Sequence, residues 1–112
     1  VSPTTYDEYK NTLRTNNKDL GIDATLQENE IDIIIGAPTG RSATVAALAG
    51  YPVGTVPLGY ARFNGRPFGM AIFAPANAEP LILSAMSAWE STFPKRLPPP
   101  QLVNWDQISP EK

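Results

Sequence analysis

Ala49-Gly50-Tyr51-Pro52-Val53-Gly54-Thr55-Val56-Pro57-Leu58-Gly59, continuing through Asn64-Gly65-Arg66-Pro67-Phe68-Gly69-Met70-Ala71-Ile72-Phe73-Ala74, sets the architecture of the chain. It reads as the end of a small-residue helix, a strand, a tight turn and a second strand. Gly50 falls where a helix C-terminus needs a left-handed residue, and Pro52 stops the helix from continuing. Val53, Thr55 and Val56 favour an extended chain, and Pro57 restricts that strand to an edge, a bulge or its own end. Asn64-Gly65 is a strong hairpin signal, because both residues tolerate the positive φ of a tight turn. Met70, Ile72 and Phe73 supply apolar surface on the return strand.

Working outward, Ala43 to Ala49 forms a helix rich in alanine, which permits close packing on a sheet, with Ser42 as its cap. Ile31-Asp32-Ile33-Ile34-Ile35 is too apolar and β-branched for solvent and reads as a buried central strand. Upstream, Ser2 or Thr4 caps a helix with Pro3 in its first turn and Asp7 and Glu8 near its positive end. Tyr6, Tyr9 and Leu13 give that helix a narrow apolar stripe, Gly21 should end it, and Asp23 caps a short helix over Ala24 to Asn29. Downstream, Asn77 caps the longest helix, about Ala78 to Thr92, whose Ile82, Met86, Trp89 and Phe93 aim at a core until Pro94 ends it. The fold class is therefore α/β: a small mixed sheet, with strands near 31–35, 53–58 and 68–74, flanked by helices. Residues 1–97 make one unit. Residues 98–112 form an extended Pro-rich tail, with Leu102, Val103 and Trp105 lying along a protein surface.

Composition narrows the function. With 112 residues the chain fits one domain, which buries roughly 65% of its unfolded surface. A net charge of −2 with 42% hydrophobic residues gives no broad field for nucleic acid or an anionic membrane. No apolar run approaches the ~20 residues of a spanning helix, and no signal-peptide pattern opens the chain, so a cytoplasmic location is expected. The absence of histidine removes any Ser-His-Asp triad or histidine-bearing metal site, and the absence of cysteine removes thiol chemistry. Val1 in place of methionine suggests a processed or excised piece.

The ordered run Ala-Gly-Tyr-Pro-x-x-Thr-Val-Pro-Leu-Gly at 49–59, then Asn-Gly-Arg-Pro-Phe-Gly at 64–69, then an apolar helix ending Ala88-Trp89-Glu90, resembles the C-terminal part of the amidase signature family. The resemblance covers roughly residues 20 to 100. It implies a layered α/β/α fold and the hydrolysis of carboxamides by a lysine and two serines on a glycine- and serine-rich stretch far upstream. No Gly-Gly-Ser-Ser-Gly-like run and no Ser-Ser pair occurs here, so no catalytic residue carries over.

Other candidate chemistry is weaker than its structural explanation. Gly36-Ala37-Pro38-Thr39-Gly40-Arg41-Ser42 sits between a strand and a helix, as a phosphate-binding loop would. Its glycines enclose three residues rather than four, and Arg41 replaces the lysine, so an ordinary strand-to-helix loop is the better reading. A Ser/Lys hydrolase needs a neutral lysine beside a serine, whereas Lys10, Lys18, Lys95 and Lys112 all lie in polar or terminal surroundings. Asp32 fits a structural hydrogen bond near a strand start. Glu28, Glu30 and Asp32 fit a solvated patch better than a cation site, and Tyr51 and Trp89 fit packing residues with polar edges. Catalytic, cofactor-binding and metal residues are all expected to be none.

Two functions follow as expectations. One is the C-terminal structural portion of an amidase-like hydrolase acting on carboxamide C–N bonds, inactive alone and partnered by the remainder of that polypeptide. The other is a catalytically empty module that binds a partner or itself as a homo-oligomer. Neither involves nucleic acid or membrane.

Overall fold

The computed structural model describes residues 1–99 and Leu102. Helix α1 (Pro3–Arg14) runs without a break into a π-helical stretch (Thr15–Asp23) and then α2 (Ala24–Glu28). Strand β1 (Ile34–Gly36), helix α3 (Arg41–Ala49), strands β2 (Val53–Tyr60) and β3 (Pro67–Phe73), and helix α4 (Glu79–Thr92) follow. The strand order is β1-β3-β2, and both pairings are antiparallel.

The α/β reading holds, with two corrections to the sheet. Its three strands are antiparallel rather than mixed. The first strand is not central and not 31–35: β1 starts only at Ile34 and lies at an edge, while β3 occupies the centre. The delay has a local cause. Ile31 N–H donates back to the Leu26 carbonyl (3.0 Å) and Glu30 takes φ 53°, so both residues are spent in closing α2.

Alternation along β3 builds the layers. Ala71 and Phe73 face one way, into a core with Ile22, Leu26, Ala46, Ala49 and Tyr51. Ile72 and Ala74 face the other way, into a core with Val56 and Ile82, flanked by Met70, Met86 and Trp89. The N-terminal helices and α3 thus cover one face and α4 the other, giving helix, sheet, helix. On the α4 side, a Cβ on Gly54 would lie 2.5 Å from Ile82 Cγ2 and 2.9 Å from Met86 Sδ. Only a residue without a side chain lets the helix approach β2 this closely.

Helix ends depart from expectation in instructive ways. Ser2 is the cap of α1, its Oγ accepting the Thr5 N–H at 3.2 Å, with Pro3 as the first helical residue. Asp7 and Glu8 lie beyond the first turn, which holds no acidic residue. Gly21 does not end the helix. The nine residues from Leu13 to Ile22 make about 2.5 α-helical turns, which would put Ile22 on the face opposite Leu13. The wider π turn shifts that phase, so Leu13 beside Leu48 and Ile22 beside Ala46 both face α3. Burial of Ile22 and Leu26 outweighs the weak propensity at Gly21. Asp23 is itself helical and caps nothing with its side chain. Gly40, not Ser42, is the N-cap of α3, and Ala78, not Asn77, that of α4; Asn77 has φ 62°. The apolar stripe of α4 is graded: Ile82 is buried, whereas Phe93 is exposed and stacks on Trp89 with ring centroids 4.1 Å apart.

The β2–β3 hairpin is present, but its turn is not a two-residue one. Residues 61–66 form a longer loop closed by Ala61 N–H to the Arg66 carbonyl (2.8 Å). Gly65 alone takes positive φ (68°), and Asn64 uses its side-chain oxygen to accept the Arg66 N–H at 3.0 Å. Pro57 lies on an edge strand at a bulge, with Leu58 as the extra residue between Pro57 and Gly59. In the tail, Leu102 is exposed; Val103 and Trp105 lie outside the described residues.

Gly50 closes α3 as anticipated. It has φ 75°, its N–H donates to Ala47 (3.1 Å), and Tyr51 N–H donates to Ala46 (2.9 Å). Arg14 packs against it and donates from Nη1 to the Ala49 carbonyl at 3.2 Å, placing a cation at the negative end of the helix. Gly50→Ala is expected to cost about 1–2 kcal/mol from the left-handed backbone alone, plus the clash with Arg14. Denaturant melts of Gly50→Ala with and without Arg14→Ala would separate the two, since only the clash is relieved in the double variant. Glu30→Gly, by the same backbone argument, should raise stability by up to about 1 kcal/mol.

Candidate functional site

The chemistry-bearing residues divide between two places: an open cleft beside the 36–42 loop, and the far end of the β2–β3 hairpin. The loop is held by its own side chain, Ser42 Oγ donating to the Ala37 carbonyl at 2.7 Å. That bond fixes Ala37, Pro38 and Thr39 beside Thr55, Pro57 and Gly69, forming one wall of a cleft of about 580 Å³. Gly69 has no room for a side chain, because a Cβ there would collide with the Val56 carbonyl oxygen. Gly40 caps α3 with φ 140° and no side-chain bond.

At the other end, β2 carries the bulge at Leu58, and the segment after α4 returns to it. Tyr60 donates its hydroxyl to the Leu97 carbonyl at 2.7 Å, and Trp89 donates Nε1 to the Pro57 carbonyl at 2.9 Å. The two bonds tie helix end and strap to the same bulged strand. A more enclosed cleft of about 160 Å³ lies between them, with Phe68, Leu58 and Tyr60 on one side and Pro94, Lys95 and Arg96 on the other.

Apart from Lys95, the lysines and carboxylates weighed in the sequence fall elsewhere and apart. Lys18 pairs with Asp19 at 3.3 Å, and Lys10 lies 5.9 Å from the Tyr6 ring centroid. Lys95 lines the hairpin cleft, and Lys112 lies outside the described residues. No side-chain hydrogen bond among the described residues joins a lysine to a serine. Asp32, Glu28 and Glu30 are exposed, and no group of three or more acidic side chains among the described residues could hold a metal ion. Asp32 makes none of the side-chain hydrogen bonds of the described residues, so the structural bond expected of it is absent there.

Tyr51 carries the clearest electrostatic signature. It is buried in the core beneath α3, and its hydroxyl donates to Asp23 Oδ1 at 2.5 Å. Burial first, then the Asp23 hydrogen bond and charge, push the phenol up from 10.0 to about 12. This is a structural pair: it clamps the π-helical stretch to the second residue after α3. The cleft formed by Tyr60, Phe68, Lys95 and Arg96 was not anticipated. Its only signals were a hairpin motif at Asn64-Gly65 and a proline-rich run starting at Pro98, thirty-three residues further on and silent about each other.

Comparison with known proteins gives a consistent answer. No family model matches the chain. A Schizosaccharomyces pombe protein designated an amidase is 36% identical over 88% of this chain, which covers 18% of that protein. The native peptide amidase of Stenotrophomonas maltophilia superimposes with a TM-score of 0.78 and 31% identity, over 88% of this chain and 22% of its own. A peptide amidase bound to the competitive inhibitor chymostatin gives 0.79 and 29%, with the same coverage. The chain therefore spans about one fifth of the length of the relatives it matches.

Loss of the Tyr51 pair is measurable. Because folding raises the phenol pKa, its contribution to stability is complete below pH 10.0 and is lost as pH rises through about 12. Chemical denaturation across that window should show stability falling, and Tyr51→Phe should remove this component of the fall. An unchanged pH profile in the variant would mean that folding does not raise the Tyr51 phenol. In sequence and in fold alike, this chain is similar to about one fifth of an amidase.

Proposed function

We propose that the chain is the C-terminal structural portion of an amidase-like hydrolase acting on carboxamide C–N bonds. It supplies strands and covering helices and has no activity by itself. The observation that carries this reading is the joint match in sequence and fold to amidases over 88% of the chain. The resemblance assigns hydrolysis to a lysine and two serines on an upstream stretch. In such an enzyme the nucleophilic serine attacks the carboxamide carbonyl, ammonia or an amine leaves, and water releases the acid. This chain has no adjacent serines and no histidine to provide another route.

A second reading rests on its own observation. Ile31 and Ile35 beside the outer edge of β1 are 42% and 46% exposed, and Leu83 on α4 is 64% exposed. Such surface favours association with the rest of an amidase chain or with another copy. Sedimentation at rising concentration is expected to show a homodimer or larger species; a monomer that unfolds cooperatively would remove the self-association reading.

The functional reading is tested by assaying carboxamide hydrolysis with the chain alone and after adding the remaining portion of an amidase polypeptide. No turnover alone and turnover on mixing is the expected pair of results. Turnover by the isolated chain, abolished by replacing one of its serines or lysines, would overturn the proposal.

A further inference from the structure

The charge of this chain is distributed unevenly. Seven of its eleven acidic residues precede residue 33, and none occurs between Asp32 and Glu79. Arg62, Arg66, Lys95 and Arg96 all line the clefts at the hairpin end, and no aspartate or glutamate lines them. The one ion pair among the described residues, Lys18–Asp19, lies in the N-terminal helical region. A protein with a net charge of −2 therefore presents a cationic end whose arginines have no carboxylate partner among the described residues.

That end also carries a half-open apolar hollow, whose lining side chains are exposed or half-buried. The cleft between strap and hairpin measures about 160 Å³, close to the ~150 Å³ that accommodates a benzene ring in an apolar cavity. Its walls are the Phe68 and Tyr60 rings, Leu58 and three prolines, with Lys95 and Arg96 beside Pro94 and Leu97. Three features of the fold make the hollow. The bulge extrudes Leu58, Gly59 contributes no side chain, and the Tyr60–Leu97 hydrogen bond (2.7 Å) holds the strap carrying the two cations in place. An apolar pocket with a few convergent polar groups is the usual form of a small-molecule site.

We propose that this cleft binds a small aromatic carboxylate, with a single ring between Phe68, Leu58 and the prolines and the carboxylate directed to Arg96 and Lys95. The ring matches the volume and lining, and the anion matches the local charge. Guanidinium selects the carboxylate because its planar donors bond both oxygens. An aromatic amine would meet like charge, and a neutral amide would forgo the ion pair. The inference stands on the cleft itself and not on the amidase reading, because its readout is binding and involves no hydrolysis.

The test is titration of the whole chain with phenylacetate, phenylacetamide and phenethylamine at low ionic strength, followed by amide chemical shifts and calorimetry. Phenylacetate should perturb Gly59, Phe68 and Leu97 and bind about fivefold more tightly than phenylacetamide, as expected for one partly exposed ion pair. Added salt should shrink that preference. Arg96→Gln, at an exposed position outside both cores, should shrink it, and Arg96→Gln combined with Lys95→Gln should abolish it while leaving weak, charge-independent ring binding; Phe68→Ala should weaken all three probes. Should Phe68→Ala fail to fold, Lys95→Gln combined with Arg96→Gln decides the matter alone. The proposal is overturned if none of the probes perturbs the cleft, if phenethylamine binds as well as phenylacetate, or if Arg96→Gln leaves the preference intact.

Discussion

Strand β3 needs cover on both faces, and nearly every other element is placed by that requirement. Phe73 and Ala71 demand an apolar layer on one side, Ile72 and Ala74 on the other, and all four are buried. The N-terminal helices and α3 satisfy the first demand, and α4 satisfies the second. A strand buried on both sides cannot tolerate a register slip, because a shift of one residue would exchange its two faces. The antiparallel neighbours β1 and β2 fix that register through Phe73, which lies opposite Ile34 on one side and Val53 on the other.

The layers approach closely because small residues lie where backbones must meet. Ala46 and Ala49 let α3 settle against the sheet, and Gly54 lets α4 do so from the opposite side. The resulting cores are thin: Ile72 and Val56 are the largest side chains that are completely buried among the described residues. Specificity therefore leans on polar clamps at the margins. Arg14 on the Ala49 carbonyl, Tyr51 on Asp23, and Trp89 on the Pro57 carbonyl each tie a helical element to a neighbour. Each bond is modest in net energy, but leaving the partly buried groups of the first two unpaired would cost more.

Legibility followed the range of the interaction that decided each feature. The helix end at Gly50, the restriction of Pro57 to an edge, a bulge or a strand end, a cap at Ser2 or Thr4 and the α/β layering all follow from residues within a few positions of one another. The start of β1 did not, because Ile31 is drawn back onto Leu26 by a helix terminus that a run of isoleucines does not disclose. Gly21 was misread for a different reason: its helix continues to bury Ile22 and Leu26, a gain that exists only once α3 is in place. The hairpin cleft was wholly illegible. Arg96 is thirty-six residues from Tyr60, and only the Tyr60–Leu97 bond brings the strap back across the hairpin.

By itself, the sequence determined the kinds of layer, the positions of most helices and strands, the amidase resemblance, and the absence of histidine and paired serines from the chain. Those depend on residue identity and short-range spacing, which are complete in the covalent chain. Only the tertiary structure decided that the sheet is antiparallel with β3 at its centre, that the first helix passes through Gly21, and that cations and aromatic rings gather at one end. Each of those outcomes balances burial against local preference between segments far apart in sequence, and that balance exists only after the layers have met.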